Sequence, residues 1–262
     1  MDLNLTGRKA VVCGSTQGLG LAAAQEIALL GADVVLMARN EEKLKEVTAS
    51  LPAKAGQKHS YLVADFSHPD QVKICIEGYV ESGGMAHILV NNSGGPVAGP
   101  AISASVDDYR LAFNSHLISN QILVQALVPG MKQSCFGRVI IIISTSVKQP
   151  IPGLGVSNTI RAAVANWAKT LAGELGPFGI TVNNVLPGFT KTVRADYIIN
   201  KRAADSGRTP DEVLKELVSE IPAGRIGQPS DFGAAVAFLA SPAASYINGI
   251  NLPVDGGRTG CL

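Results

Sequence analysis

The residues best suited to chemistry form Cys13-Gly14-Ser15-Thr16-Gln17-Gly18-Leu19-Gly20, with glycines spaced Gly-x-x-x-Gly-x-Gly. Glycines let a backbone approach a pyrophosphate closely, and the free N–H groups of a following helix N-terminus face its negative charge. The preceding Lys9-Ala10-Val11-Val12 reads as a strand, and Leu21, Ala24, Ile27, Ala28 and Leu30 mark an apolar-periodic helix closed by Gly31. Three glycines are a weak pattern in a chain with 28 of them, and a glycine-rich turn without a ligand is the plainer alternative. The strand–turn–helix context favours a nucleotide phosphate.

The elements that must position this turn recur along the chain. Apolar runs at Val34–Met37, Tyr61–Ala64, Ile88–Val90, Val139–Ile143, Thr181–Leu186 and Ile250–Val254 read as six further strands. Helical patterns separate them at Glu41–Ser50, Gln71–Tyr79, Val106–Lys132 and Asn158–Leu175. Strands apolar throughout and alternating with helices predict a parallel sheet covered on both faces, the doubly wound α/β architecture. In such sheets ligands sit beyond the carboxyl ends of the strands. Those ends carry Gly14, Arg39, Asp65, Asn92, Ser144 and Pro187-Gly188. Residues 189–222 depart from the alternation with two helical patterns and no strand. The second pattern has Thr209 as a cap, Pro210 at the first helical position and Glu212 to complete a capping box. This insertion is either a lid over the site or a packed surface helix pair.

Composition narrows the function classes. The 262 residues are 46% hydrophobic and 16% charged, which fits one buried-core domain over residues 1–262. A net charge of +1 gives no electrostatic case for nucleic acid or an anionic membrane surface. The N-terminus lacks the pattern of a signal peptide, and no apolar stretch is long enough to span a bilayer. Cys13, Cys75, Cys135 and Cys261 are scattered without metal-ligand or disulfide-framework spacing. Reduced thiols, a cytoplasmic location and no bound metal are therefore expected.

Several motifs resemble the short-chain dehydrogenase/reductase family, in the subgroup of the 3-oxoacyl-acyl-carrier-protein reductases. They are the glycine turn, Asn91-Asn92-Ser93-Gly94, Gly179-Ile180-Thr181-Val182-Asn183, Pro187-Gly188-x-x-x-Thr192, Arg225-Ile226-Gly227-x-Pro229 and Val254-Asp255-Gly256-Gly257. The resemblance implies a Rossmann-type seven-stranded parallel sheet and an oxidoreductase of a carbonyl or alcohol, on a small molecule or an acyl carrier. It implies that Gly14, Ser15, Gly18 and Leu19 line a pyrophosphate, with Thr16 and Gly20 in the same turn. Asp65 and Phe66 would bracket the adenine, and Asn92, beside Gly94, would touch its ribose. Thr190 and Thr192, after Pro187-Gly188, would hold the nicotinamide carboxamide. Ala38-Arg39 replaces the acidic residue that would repel a 2′-phosphate, so NADP(H) is expected over NAD(H). A homotetramer or homodimer is also implied.

The chemical half departs from the family pattern of Asn, Ser and Tyr-x-x-x-Lys. Ser144 stands at the Ser position, but Ser157 replaces the Tyr and Arg161 the Lys. No tyrosine occurs between Tyr109 and Tyr197, so no neighbour restores it. An ungapped count puts His116 at the Asn position, and a short gap would put Asn114 there. A serine is a far weaker acid than a phenol, and a guanidinium holds its proton. Three readings stay open: His116 as the acid, directly or through Ser144; hydride transfer needing little acid help, with Ser144, Ser157 and Arg161 as electrostatic stabilisers; or a silent NADP(H)-binding sensor or structural partner.

Overall fold

The computed structural model describes residues 1–54 and 56–261. In chain order, its main elements begin with β1 (Lys9–Cys13), α1 (Gly18–Leu29), β2 (Asp33–Ala38), α2 (Glu41–Ser50), β3 (Ser60–Val63) and α3 (Pro69–Glu81). They continue with β4 (Ile88–Asn91), α4 (Val106–Phe113), α5 (Ser119–Gln133), β5 (Gly137–Ile142), α6 (Gly155–Leu175) and β6 (Ile180–Pro187). The last are α7 (Val193–Ser206), α8 (Pro210–Ser219), α9 (Pro229–Ala240) and β7 (Asn251–Val254). The strands are parallel throughout and form one sheet ordered β3-β2-β1-β4-β5-β6-β7. This is the expected Rossmann-type sheet. The strand order reverses between β1 and β4, which opens a crevice beyond their carboxyl ends.

Successive side chains in each strand enter different cores. Val11 and Cys13 of β1 join one apolar cluster, and Ala10 and Val12 join the other. Strand β5 divides likewise, Val139 and Ile141 against Ile140 and Ile142. Helices α3, α5 and α6 cover the first face, and α1, α2 and α9 the second. Both faces are covered, so the strands are apolar at nearly every position instead of alternating.

Three features go beyond the sequence reading. The single helix expected over Val106–Lys132 is two α-helices joined by a π-turn at Asn114–Ile118. A π-turn inserts a residue into the helical ladder and redirects side chains, often at functional sites. Helix α9 has no counterpart in the periodicity. Its buried face includes Phe232, Gly233, Val236, Ala237, Leu239 and Ala240, too broad for a clear 3.6-residue stripe. Its local signals are Pro229 in the first turn and Asp231, which accepts from the Gln228 N–H at 2.8 Å. Finally, α7 and α8 share a small core of their own, Ile199 and Ala203 against Val213 and Leu217. The Thr209 capping box with Glu212 is present as expected.

Helix α9 approaches α1 closely at Gly233, where a Cβ would lie 2.7 Å from the Ala22 carbonyl oxygen. Gly233→Ala should therefore push α1 and α9 apart and lower stability by about 1–3 kcal/mol. Urea unfolding reads the loss, and an unchanged midpoint would refute the tight contact.

Candidate functional site

The crevice begins where β1 ends. The chain turns through Gly14 and Gly18, whose φ angles of 56° and 58° lie in the left-handed region. Space is restricted because Asn92 Nδ2 donates to the carbonyls of Cys13 and Gly14, at 3.3 and 3.1 Å. A Cβ on Gly14 would lie 2.6 Å from that nitrogen, and one on Gly20 would overlap the Gly14 carbonyl. Helix α1 starts with no acidic residue in its first turn and no capping side chain among the described residues. Its first N–H groups are thus left for an anion, which fits a nucleotide diphosphate. Ser15 is fully buried, and its Oγ accepts from the Met37 N–H at 3.1 Å. Its side chain fastens β2 to the turn, so any phosphate contact of Ser15 would be through its backbone. Thr16 and Leu19 stay half-buried along the turn.

The adenine side is open. Arg39 follows β2 with a side chain 80% exposed, 3.9 Å from the Asp65 carboxylate. At that distance and exposure the pair holds Arg39 weakly and leaves its guanidinium free to engage a phosphate. Burial raises the Asp65 carboxyl, but hydrogen bonds from Ser67 and the charges of Arg39 and His68 outweigh it and hold the pKa low. Phe66 is buried beside it, its carbonyl accepting from Ser119 Oγ at 2.8 Å. Gly94 is exposed, with open space where a Cβ would stand.

The far wall comes from the end of β6. A Cβ on Gly188 would lie 2.5 Å from Asp255 Cα, so the Val254-Asp255 backbone packs directly on Pro187-Gly188. Thr190 is buried and forms a parallel bridge with Gly227, which ties the Arg225-Ile226-Gly227 motif to this wall. Thr192 caps α7, its Oγ1 accepting from the Ala195 N–H at 3.3 Å. Its methyl carbon stands 3.6 Å from where a Cβ on Gly18 would be. Glycine turn and far wall, remote from each other in sequence, therefore approach across the crevice.

The chemical half lies beyond β4 and β5. Ser144 Oγ accepts from the Ser146 N–H at 3.0 Å, which leaves its own hydrogen to donate. Helix α6 packs against the turn Thr145–Val147 and carries Ser157 and, one helical turn later, Arg161. Arg161 is 7% exposed and donates from Nη1 to the Ile142 carbonyl at 3.1 Å, two residues before Ser144. Its Nε has no partner among the described residues. Burial and the nearby Arg194 push its pKa down to about 10, still a cation at neutral pH.

His116 is 2% exposed on the π-turn, and its Nδ1 is 2.7 Å from Ser93 Oγ. Burial, then the Arg161 charge, pushes its pKa down to about 2. The expectation of an imidazole titrating near neutrality is corrected accordingly: His116 is held neutral because a cation stands beside it and water is excluded. Its carbonyl accepts from Asn120 Nδ2 at 2.6 Å. His116, not Asn114, contacts the residue after Asn92. Ser93, Asn120 and Arg194 were given no role in the sequence reading. Ser93 lay inside a quoted motif; Arg194 sits on an exposed helix start, where periodicity carries no information.

Comparison with known proteins identifies the family. A family model described as enoyl-(acyl carrier protein) reductase matches residues 14–259. The chain belongs to the short-chain dehydrogenase/reductase family. The 3-oxoacyl-acyl-carrier-protein reductase of Haemophilus influenzae is 32% identical over 253 residues, 97% of this chain and 98% of that protein. The L-sorbose reductase of Gluconobacter frateurii, solved with NADPH and L-sorbose, superposes with a TM-score of 0.94 at 32% identity, covering 100% of both chains. A gluconate 5-dehydrogenase of Burkholderia cenocepacia, solved with NADP and tartrate, gives 0.88 at 29% identity over 100% of this chain and 98% of that one. No helix among the described residues is long and apolar enough to cross a membrane.

The neutral imidazole makes stability pH-dependent. Unfolded, His116 takes a proton near its ordinary pKa of 6.5; folded, it does so only far lower. Its contribution is therefore complete above pH 6.5 and declines by about 1.4 kcal/mol per unit as pH falls further. Between pH 7.5 and 5.5 the wild type should lose about 1.4 kcal/mol more in urea unfolding than His116→Gln. Equal losses would show that the imidazole is not held neutral.

Proposed function

We propose that the chain is an NADP(H)-dependent oxidoreductase that interconverts a carbonyl and an alcohol, 3-oxoacyl reductase-like in type, on a small or acyl-carrier-bound substrate. The observation that carries this reading is the contact between Thr192 and the glycine turn at Gly18. It brings the wall that would hold the carboxamide against the turn that would hold the diphosphate. NADP(H) in solved relatives of the same fold supports the same cofactor here. Gly14, Gly18, Leu19 and Gly20 would hold the diphosphate with the backbone of Ser15 and Thr16, and Arg39 the 2′-phosphate. Asp65, Phe66, Asn92 and Gly94 would surround the adenosine, and Pro187, Gly188, Thr190 and Thr192 the carboxamide. When bound, the nicotinamide supplies or accepts the hydride.

The remaining chemistry falls to an unusual set. Ser157 and Arg161 stand in place of the family's tyrosine and lysine. The Ser144 hydroxyl donates to the substrate oxygen, Ser157 adds a second polar contact, and the Arg161 guanidinium stabilises charge developing on that oxygen. Neutral His116 hydrogen-bonds Ser93 and sets the wall of the site, so the final proton comes from solvent. Residues 189–222 serve as a lid, since α7 and α8 pack on their own small core and Thr192 caps α7. Four free thiols suit a reducing compartment such as the cytoplasm, and family resemblance supports a homotetramer or homodimer.

A second reading is a catalytically silent NADP(H) sensor or structural partner. The neutral state of His116 and the serine at position 157 favour it. An NADPH-oxidation screen over ketones, aldehydes and acyl thioesters, with NADPH binding measured in parallel, separates the two. Turnover supports the enzyme, and tight binding without turnover on any class supports the silent binder. Arg39→Asp should weaken NADPH binding at least about tenfold and leave NADH binding unchanged or improved. If both affinities stay put, Arg39 does not touch the phosphate.

A further inference from the structure

The start of α7 meets the crevice at two points. The Thr192 methyl stands 3.6 Å from the Cβ position of Gly18, on the glycine turn. Two residues on, the Arg194 guanidinium carbon and Nη2 stand 3.6 Å from the Cβ position of Gly95, in the loop after β4. That loop is tied back to the glycine turn by Asn92, whose Nδ2 donates to the Gly14 carbonyl at 3.1 Å. These contacts complete a ring that runs from Gly18 to Thr192 and Arg194, on to Gly95 and Asn92, and back to Gly14. The ring spans the carboxyl ends of β1 and β4, where the strand order reverses. A dinucleotide reaching from the glycine turn to the Pro187-Gly188 wall passes through it.

The segment that carries Thr192 and Arg194 is anchored at its base and lightly held at its tip. At one end the Lys191 N–H donates to the Gly227 carbonyl at 2.8 Å, and the Gly227 N–H to the Phe189 carbonyl at 3.0 Å. At the other the Ala223 N–H donates to the Gly256 carbonyl at 3.0 Å, and Glu220 pairs with Arg258. Between these anchors α7 and α8 share a core separate from the two that flank the sheet, so they can move as one body. A cavity of about 310 Å³, lined in part by Phe189, Ala223, Gly227 and Gly256, gives the base room to tilt. At the tip Val193 and Tyr197 are 70% and 64% exposed. Arg194 joins no ion pair among the described residues, and its approach to Gly95 is one of van der Waals contact.

We propose that residues 191–223 form a hinged strap latched by Arg194 on Gly95, and that release of this latch sets how fast NADP(H) enters and leaves. This rests on the NADP(H) reading and adds its control. Dispersion contact without a charge partner makes a latch that holds the ring closed and still opens readily. Glycine at position 95 lets the guanidinium lie this near the backbone. The γ-methyls of a valine there reach past the Cβ position into the guanidinium and lift it.

The test pairs stopped-flow fluorescence of NADPH binding with hydrogen exchange of the protein alone, on wild type, Arg194→Ala and Gly95→Val, each checked by thermal unfolding. In wild type the association rate should level off as NADPH rises, the mark of an opening step. Both variants should raise that ceiling and the dissociation rate about fivefold, with NADPH affinity kept within about twofold. A wild-type rate that climbs without limit, or association no faster in either variant, overturns the strap. Faster dissociation without faster association means that Arg194 holds the cofactor itself, which also overturns it. Without NADPH, the amides of residues 193–198 should exchange about fivefold faster in both variants than in wild type. Equal exchange overturns the latch. If wild type binds no NADPH, the cofactor reading fails separately, and hydrogen exchange still decides the latch.

Discussion

The Asn92 amide, donating to the carbonyls of Cys13 and Gly14, fastens the end of β4 to the glycine turn where the strand order reverses. Much of the crevice follows from that link. It draws the chain so close that Gly14 and Gly20 have no room for a side chain. It fixes the start of α1, whose free N–H groups are the positive floor of the site. It also sets where Ser93 emerges, and hence where His116 can reach. A single side-chain amide in a half-buried position therefore coordinates the phosphate floor with the chemical wall.

Charge governs the chemical wall as geometry governs the floor. Arg161 sits in a place where a cation is hard to hold, and burial, with the Arg161 charge added to it, disfavours a proton on His116. Two groups that could each carry a proton are thereby given separate duties, one permanently positive and one permanently uncharged. Ser93 Oγ lies within hydrogen-bond distance of His116, and Ser144 Oγ accepts from the Ser146 N–H. Such a wall suits the stabilisation of negative charge better than the delivery of a proton from a titrating side chain.

Much of this was legible in the sequence, because the strands are apolar runs separated by recognisable helices and the motifs sit at strand ends. The ends of β1, β4 and β6 followed directly from Gly14, Asn92 and Pro187-Gly188. What stayed hidden depends on contacts remote in sequence. Helix α9 is buried across too broad a face to show an amphipathic stripe. Asn114 and His116 both lie on a π-turn, and no spacing rule anticipates an inserted residue. The duty of the Ser15 side chain depended on Met37 lying opposite it. Arg194 comes near Gly95 through the path of the chain beyond Thr192.

The close contact between Gly233 and Ala22 has a consequence for redesign. Helix α9 touches α1 on the face away from the crevice, yet it sets the height at which α1 presents its first turn. The dimensions of the phosphate cradle are therefore calibrated from behind, by residues that would appear in no inventory of its lining. Arg39, by contrast, is mostly in solvent and braced by a long pair to Asp65. The scaffold thus separates two degrees of freedom. The choice between cofactors is adjustable at the rim, whereas the size of the cradle can change only if two helices and the sheet face they pack on move together.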